Sequence, residues 1–321
     1  AQQWILALKR EFPGVKCGIV AGGREGHPRS DRWTERALQH CPAADALIVH
    51  TYTPSGLLGR VRRDITAGTE GTVEGAPDVS PDERQRLELE LLGTPAGFAK
   101  AMTTAYAAAQ RNKDSHRHGD KEIWMTEWNL RADRDAFRGT WANTLFIACF
   151  YHAFLEDRMV TMSHYHNIVS PTFGAIYRGE NELNHVRGRN LRSTPYALSA
   201  GGLATSYFGR VLTGRTSARP LHFAVPPLTS EEPRLATVWG WRANGPAGEA
   251  AIVINLGAAA QTVRSGESLP PGARFSQYAA SADTYVTGPD SIPESRGTLA
   301  GELPLPPLSV TIFTWSTPLT P

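Results

Sequence analysis

Apolar and polar positions in the first two thirds of the chain follow two alternating patterns. Short, nearly continuous apolar runs at residues 16–22, 46–52, 123–128 and 160–165 are typical of buried strands. Between these runs, apolar residues recur at helical spacing, as Trp4, Leu8 and Phe12 do in the opening segment. Strands that alternate with helices indicate a parallel sheet covered by helices. We therefore predict an α/β fold in which these four strands are neighbours in chain order.

Start and stop signals delimit the predicted helices. "FPG" ends the first helix, Ser30 or Asp31 is the expected N-cap of the second, and Ser80 caps a third that has Pro81 at its first position. Further helices are predicted at about residues 96–112, at 136–156 and within "STPYALSAGGLATSYFGRVL". Residues 53–80 are rich in Gly, Thr and Pro, which predicts a long loop.

The pattern changes after about residue 213, where short apolar segments are separated by Gly and Pro turns. Such segments are typical of an antiparallel β-sandwich. We predict two domains, residues 1–213 and residues 214–321. The predicted strands of the second domain are "HFAVPP", "LATVWGWRA", "EAAIVINLG", "QTVRS", "ARFSQYAA" and "LSVTIFTW".

Charge and cysteine content narrow the possible partners. The chain has 33 basic and 31 acidic residues and a net charge of +2, which favours neither nucleic acid nor an anionic membrane as a partner. No apolar run approaches the roughly 20 residues of a membrane span. The three cysteines show neither metal-ligand spacing nor the even count of a disulfide framework.

Polar side chains that could do chemistry follow three of the four predicted strands. The carboxyl ends of parallel strands form the binding face of such sheets, so we expect these side chains to meet in one cleft. A metal site built on "HYH" lacks an obvious third ligand, and we predict no metal. Two alternatives remain: Glu127 could be a buried carboxylate paired with an arginine, and one of the histidines could be merely solvated. The candidate residues are His50, Tyr52, Glu127, His164, Tyr165 and His166.

Several segments carry a resemblance to one superfamily of enzymes. "IWMTEWN" resembles the strand-seven nucleophile segment of retaining clan A glycoside hydrolases, and "ALIVHTY" is similar to their strand six. "AAIVINLGAAAQTV" and "LPLPPLSVTIFTW" are similar to the C-terminal sandwich of the arabinofuranosidase, xylosidase and glucuronidase branches. The resemblance implies the second half of a (β/α)8 TIM barrel, strands five to eight, followed by an antiparallel β-sandwich.

The resemblance also implies a chemistry. Retaining glycosidases use two carboxyl groups about 5 Å apart, a nucleophile and an acid/base. Glu127 matches the nucleophile, and Tyr52 or His50 would donate a hydrogen bond to it. Trp128 would offer an apolar face to the sugar and Asn129 a polar contact. The substrate would be a carbohydrate, with an α-L-arabinofuranoside as first choice and a β-xyloside or glucuronide next, and no cofactor is implied.

The chain departs from the superfamily pattern in two places. The acid/base of the superfamily stands in an "NE" dipeptide ending strand four, but the only "NE" here is Asn181-Glu182, after the last barrel strand. "SHYHN" stands where the superfamily has a tryptophan near the end of strand eight. We therefore expect an acid/base outside this chain, in a missing N-terminal barrel half belonging to the same protein or to another chain. The rivals are a non-catalytic carbohydrate-binding protein and an α/β scaffold in which Glu127 is structural.

Overall fold

A four-stranded parallel sheet organises the first part of the molecule. The computed structural model describes residues 1–22, 32–53, 80–130, 137–170, 174–184 and 190–316. The strands lie in the order β1-β2-β3-β4, and all three pairings are parallel, which confirms the predicted order. Their bounds are β1 Gly18–Val20, β2 Ala46–Thr53, β3 Glu122–Leu130 and β4 Val160–Tyr165.

Helices connect these strands and begin at the polar residues that the sequence marks. The Ser80 hydroxyl accepts a hydrogen bond from the Glu83 backbone N–H at 3.2 Å, which confirms the predicted cap. The expected cap at Ser30 or Asp31, and residues 54–79 of the expected loop, lie outside the described residues. The described helices are α1 Gln2–Glu11, α2 Trp33–His40, α3 Pro81–Gly93, α4 Pro95–Ser115, α5 Trp141–Leu155 and α6 Ala200–Leu212.

The two faces of the parallel sheet differ sharply in exposure. Leu47 of β2 and Met125 of β3 are fully buried against the helix layer. On the opposite face, a side chain at Gly18 would collide with the Trp124 ring at 2.7 Å, so glycine lets that ring lie across β1. Val20, two residues further along this face, is 60% exposed. We call this second side the open face of the sheet.

An antiparallel part follows α6. Its six-stranded sheet has the order β10-β9-β12-β7-β6-β5, and a two-stranded sheet pairs β11 with β8. One face of the larger sheet, with Trp239 and Trp241, shares a continuous apolar core with the helices, while the other face packs against Val263 and Leu305 of the smaller sheet. The strands are β5 Ser217–Leu221, β6 Val238–Gly245, β7 Gly248–Asn255, β8 Gln261–Arg264, β9 Arg274–Ala279, β10 Glu294–Thr298, β11 Glu302–Leu305 and β12 Ser309–Trp315.

Three details of the predicted strand pattern were wrong. "HFAVPP" is not a strand; its Pro227 makes only an isolated bridge with Ala236, and the strand beside β6 is the preceding segment, β5. Strands β10 and β11 were not predicted from the sequence. β10 is exposed at all its positions, and β11 is only four residues long and contains Pro304, so neither is recognisable as a strand in the sequence. No helix within the described ranges is long and apolar enough to cross a membrane.

Candidate active site

Glu127 reaches the open face because β3 contains a bulge. Strict alternation after Ile123 and Met125 would send Glu127 toward the helices. In the pairing with β2, however, Val49 lies opposite Met125 and the next residue, His50, lies opposite Glu127. Thr126 is therefore an extra residue in β3, and a bulge of this kind re-aims the side chain that follows it.

Two side chains of β2 contact the Glu127 carboxylate. The Tyr52 hydroxyl donates a hydrogen bond to Oε2 of Glu127 at 2.8 Å. Nδ1 of His50 lies 3.4 Å from the same oxygen. The Glu127 side chain is 37% exposed, and among the described residues it pairs with no arginine. The arrangement differs from that of a buried structural ion pair, because the carboxylate is oriented by a hydroxyl group and still faces solvent.

His166, the residue after β4, completes the cluster. Its Nδ1 lies 2.6 Å from the Tyr52 hydroxyl oxygen. Its backbone N–H donates to the Trp128 carbonyl at 3.2 Å, and its own carbonyl accepts from the Asn129 side-chain amide. Glu127, Tyr52, His50 and His166, which we call the Glu127 cluster, therefore come from the carboxyl ends of three adjacent strands.

Trp128 is not a surface for sugar, contrary to the prediction. Its side chain is fully buried and stacks on Phe150 of α5, with ring centroids 5.5 Å apart. Since the bulge directs Glu127 to the open face, alternation directs the next residue into the helix layer.

Asn129 also has a structural position instead of the predicted substrate contact. The residue is 2% exposed, its amide nitrogen donates to the His166 carbonyl, and its Oδ1 accepts from the Leu130 N–H at 2.7 Å. Asn129 thereby ties the end of β3 to the end of β4.

Tyr165 and His164 lie outside the cluster. The Tyr165 ring meets Trp128 edge-on, with centroids 5.5 Å apart, so it points toward the helices and the prediction of a substrate contact was wrong. Burial raises the pKa of Tyr165, while a hydrogen bond with the Asn129 side chain lowers it. His164 is exposed, and alternation from Tyr165 places it on the open face. Its role in substrate binding stays a prediction.

The sequence interpretation missed the bulge and therefore the split between Glu127 and Trp128. A signal was present: the apolar alternation of Ile123 and Met125 continues at Trp128 and Leu130, which requires one extra residue between them.

A cavity of about 830 Å³, lined among others by Phe98, Leu228 and Ala280, lies elsewhere, between the helices and the six-stranded sheet. Among the described residues, no group of three or more His, Cys, Asp or Glu side chains could hold a metal ion.

Comparisons with known proteins give a fold. No protein-family model matches the sequence, and no curated protein matches it. Among solved structures, a GH51 arabinofuranosidase from Xanthomonas axonopodis pv. citri aligns with 98% of this chain and 62% of its own, at 14% identity and a TM-score of 0.55. A second arabinofuranosidase aligns with 97% of this chain and 60% of its own, at 13% identity and a TM-score of 0.53.

A third structure, an arabinose-bound GH51 α-L-arabinofuranosidase, aligns with 98% of this chain and 42% of its own, at 12% identity and a TM-score of 0.55. The chain thus spans between two fifths and about three fifths of the length of these enzymes. Over nearly its whole length, the chain is similar in fold to a part of each of these arabinofuranosidases, in agreement with the resemblance of its motifs.

Proposed function

We propose that the chain carries the nucleophile of a retaining glycoside hydrolase, and that the nucleophile is Glu127. The observation that supports this most is the position of Glu127. A bulge turns it to the open face at the carboxyl end of a parallel strand, and the Tyr52 hydroxyl contacts it at 2.8 Å. The fold shared with arabinofuranosidases adds support at the level of architecture.

The geometry suits covalent catalysis. The Tyr52 hydrogen bond occupies Oε2 and orients the carboxylate, so that Oε1 can attack the anomeric carbon while the bond to the leaving oxygen breaks. The product of this step is a glycosyl ester on Glu127. Water, activated by the second carboxyl group, then attacks the same carbon and regenerates the carboxylate.

The open face supports the proposal that only half of a barrel is present. Parallel sheets are normally covered on both faces, yet Val20 is 60% exposed, and Ile48 and Trp124 are only partly buried. We assign β1 to β4 as strands five to eight of a (β/α)8 barrel, with residues 1–213 as the barrel part and 214–321 as a β-sandwich. The first half, on the same protein or on another chain, would close the barrel.

The acid/base is proposed to lie in that first half. The chain lacks the "NE" dipeptide at the end of a strand that marks the acid/base in the superfamily, and the Glu182 of its only "NE" lies near Arg178 and Arg138. In the described part of the chain, the contacts of Glu127 are Tyr52 and His50, neither of which is a carboxylic acid.

The substrate is proposed to be an α-L-arabinofuranoside at the end of a polysaccharide or oligosaccharide, because the structures aligned above are arabinofuranosidases. A β-xyloside and a glucuronide are the next candidates. Aryl glycosides of the three sugars would separate these candidates, because they share a leaving group and differ only in the sugar.

The test is chemical rescue in the complete protein. Glu127→Ala removes the nucleophile, so cleavage of an activated aryl glycoside should fall by several orders of magnitude. Azide should restore cleavage by attacking the anomeric carbon as the phenolate leaves, with a glycosyl azide of inverted anomeric configuration as product. Glu122→Gln is the matched control, because Glu122 lies at the opposite end of the same strand, bonded to Lys16. Full activity of Glu127→Ala would refute the assignment. Sugar binding without hydrolysis by the wild type would support the carbohydrate-binding alternative.

A further inference from the structure

The Tyr52 hydroxyl lies between two partners that cannot both accept its proton. It is 2.8 Å from Oε2 of Glu127 and 2.6 Å from Nδ1 of His166. A phenol has one proton to donate and lone pairs with which to accept. Both short contacts can therefore be hydrogen bonds in only two ways. Either Tyr52 donates to Glu127 and accepts from His166, or Tyr52 donates to His166 and accepts from a protonated carboxyl group.

The charge of the carboxylate selects the direction. An ionised carboxylate only accepts hydrogen bonds, so Tyr52 has to donate to Glu127. The contact with His166 is then a hydrogen bond only if Nδ1 carries a proton and donates it to the phenol oxygen. If Tyr52 donated to His166 instead, the Tyr52 oxygen and Oε2 of the Glu127 carboxylate would lie 2.8 Å apart with no proton between them. The geometry thus selects the tautomer of His166 protonated at Nδ1.

The backbone of His166 is held on both sides by β3. Its N–H donates to the Trp128 carbonyl at 3.2 Å, and its carbonyl accepts from Asn129, whose Oδ1 is bonded to the Leu130 N–H. These contacts fix the imidazole relative to the strand that carries Glu127. Among the described residues, Nδ1 of His50 also lies near the carboxylate, at 3.4 Å from Oε2, and His164 is exposed on the same face of the sheet.

We propose that His166 is a positioning residue that acts on the nucleophile through Tyr52. This inference rests on the proposed function of Glu127. The Nδ1–H of His166 polarises the Tyr52 hydroxyl, and the polarised hydroxyl holds Oε2 of Glu127 more strongly, since consecutive hydrogen bonds in a chain strengthen one another. The effect belongs to the first chemical step, in which the ionised carboxylate is consumed.

The first test reads the tautomer directly and needs no activity. In the complete protein labelled with ¹⁵N-histidine, NMR correlation of the ring nitrogens with the carbon-bound protons shows which nitrogen is protonated. We expect the Nδ1–H form for His166 at neutral pH, and a change in its population in Tyr52→Phe. His164, which is exposed, serves as the internal control and should be the same in both proteins. An Nε2–H form in the wild type would overturn the proposal.

The second test uses a matched pair of variants. In His166→Asn the amide nitrogen stands close to the place of Nδ1 and can donate, whereas His166→Phe keeps a ring but has no donor. His166→Phe removes the neutral hydrogen bond behind the Tyr52–Glu127 contact and leaves that contact in place, so kcat/KM for an aryl glycoside should fall roughly two- to tenfold. His166→Asn should restore most of the activity that His166→Phe loses.

Equal losses in the two variants would show a merely structural role and would overturn the proposal. The proposed function has its own test, because it fails if Glu127→Ala keeps full activity, whatever the tautomer. An Nε2–H form together with an inactive Glu127→Ala would remove the role of His166 and leave the nucleophile in place.

Discussion

Glu127 and Trp128 are adjacent in the chain and serve opposite faces of the sheet. Glu127 is directed to the open face with Tyr52 and His166, whereas Trp128 lies fully buried among Phe150, Phe154 and Tyr151. The bulge between them makes this split possible. Individual side chains near Glu127 therefore divide into those that lie on the open face and those that hold the strand.

Replacing Trp128 tests this division. Trp128→Ala should lower the free energy of unfolding by about 3–5 kcal/mol, since it removes a large buried ring, and Trp128→Phe should cost clearly less. Urea denaturation measures both, and His164→Ala, at an exposed position, is the control. If Trp128→Ala instead folds with normal stability and loses only sugar binding, the ring contacts the sugar, and its position in the buried helix layer is contradicted.

Part of the candidate site could be predicted from the sequence. Glu127, Tyr52, His50 and His166 could be predicted as one group, because the carboxyl ends of parallel strands meet at one edge. Trp128 was misplaced because its direction depends on a bulge, which is a property of the pairing between two strands. Asn129 was misplaced because its amide bonds the His166 carbonyl and the Leu130 N–H, contacts that depend on the folded strands. Tyr165 was misplaced because it alternates with His164 toward the helices.

Helix α5 and strand β6 are joined by a buried histidine. Trp241 of β6 donates from Nε1 to Nδ1 of His152 at 3.0 Å, and the imidazole stacks on Trp239 with centroids 4.2 Å apart. Nε2 of His152 lies 3.6 Å from the Glu156 carboxyl. Burial, and secondarily the charge of Lys113, lowers the pKa of His152 to about 3, so its ring is neutral at physiological pH. The junction of the helices with the six-stranded sheet therefore depends on an uncharged imidazole.

This junction predicts a pH dependence of stability. Between pH about 6.5 and about 3 the unfolded chain binds a proton at His152 that the folded chain excludes, so acidification should lower the free energy of unfolding by up to about 1.4 kcal/mol per pH unit. Burial raises the pKa of Glu156, which opposes this slope above pH about 4.5. His152→Gln removes the titration and leaves Glu156 in place.

Urea denaturation at several pH values compares the two proteins. His152→Gln should be the less stable protein at pH 7, because its substitute packs less well on Trp239, but its stability should fall less steeply on acidification. Parallel curves for wild type and variant would show that His152 does not titrate as its burial requires.

Sequence could define most elements but not all of them. Helices α3 and α6 begin directly after Ser80 and Ser199, whose hydroxyls cap them, and such signals are local. Strand β10 could not be predicted because it is exposed along its length, and strand β11 could not be predicted because it is short and contains Pro304. Both strands form because they pair with a neighbouring strand, β10 with β9 and β11 with β8, and such pairing is not visible in their own sequences.

The described residues form a stack of layers in which one face of the parallel sheet is open. Parallel sheet, helices, six-stranded sheet and two-stranded sheet follow one another, and a continuous apolar core joins the helices to the six-stranded sheet. The division at residues 213 and 214 falls between the end of α6 at Leu212 and the start of β5 at Ser217. It stays a prediction, because the shared core couples the two parts.

The open face predicts a difference between this chain and a complete barrel. Val20→Cys should react readily with a thiol reagent in the 321-residue chain and slowly in the complete protein, where the other barrel half would cover it. Ser295→Cys, on the exposed edge strand β10, should react in both and is the control. Equal reactivity of Val20→Cys in the two proteins would contradict a closed barrel.

Covalent trapping tests the role of Glu127 most directly. The complete protein is incubated with an activated 2-deoxy-2-fluoro glycoside of the sugar proposed above, because the fluorine slows hydrolysis of the glycosyl ester and lets it accumulate. Peptide mass spectrometry should then find one fluoroglycosyl group on the peptide containing Glu127, and none in Glu127→Gln. A label on any other peptide would contradict the assignment of Glu127 as the nucleophile.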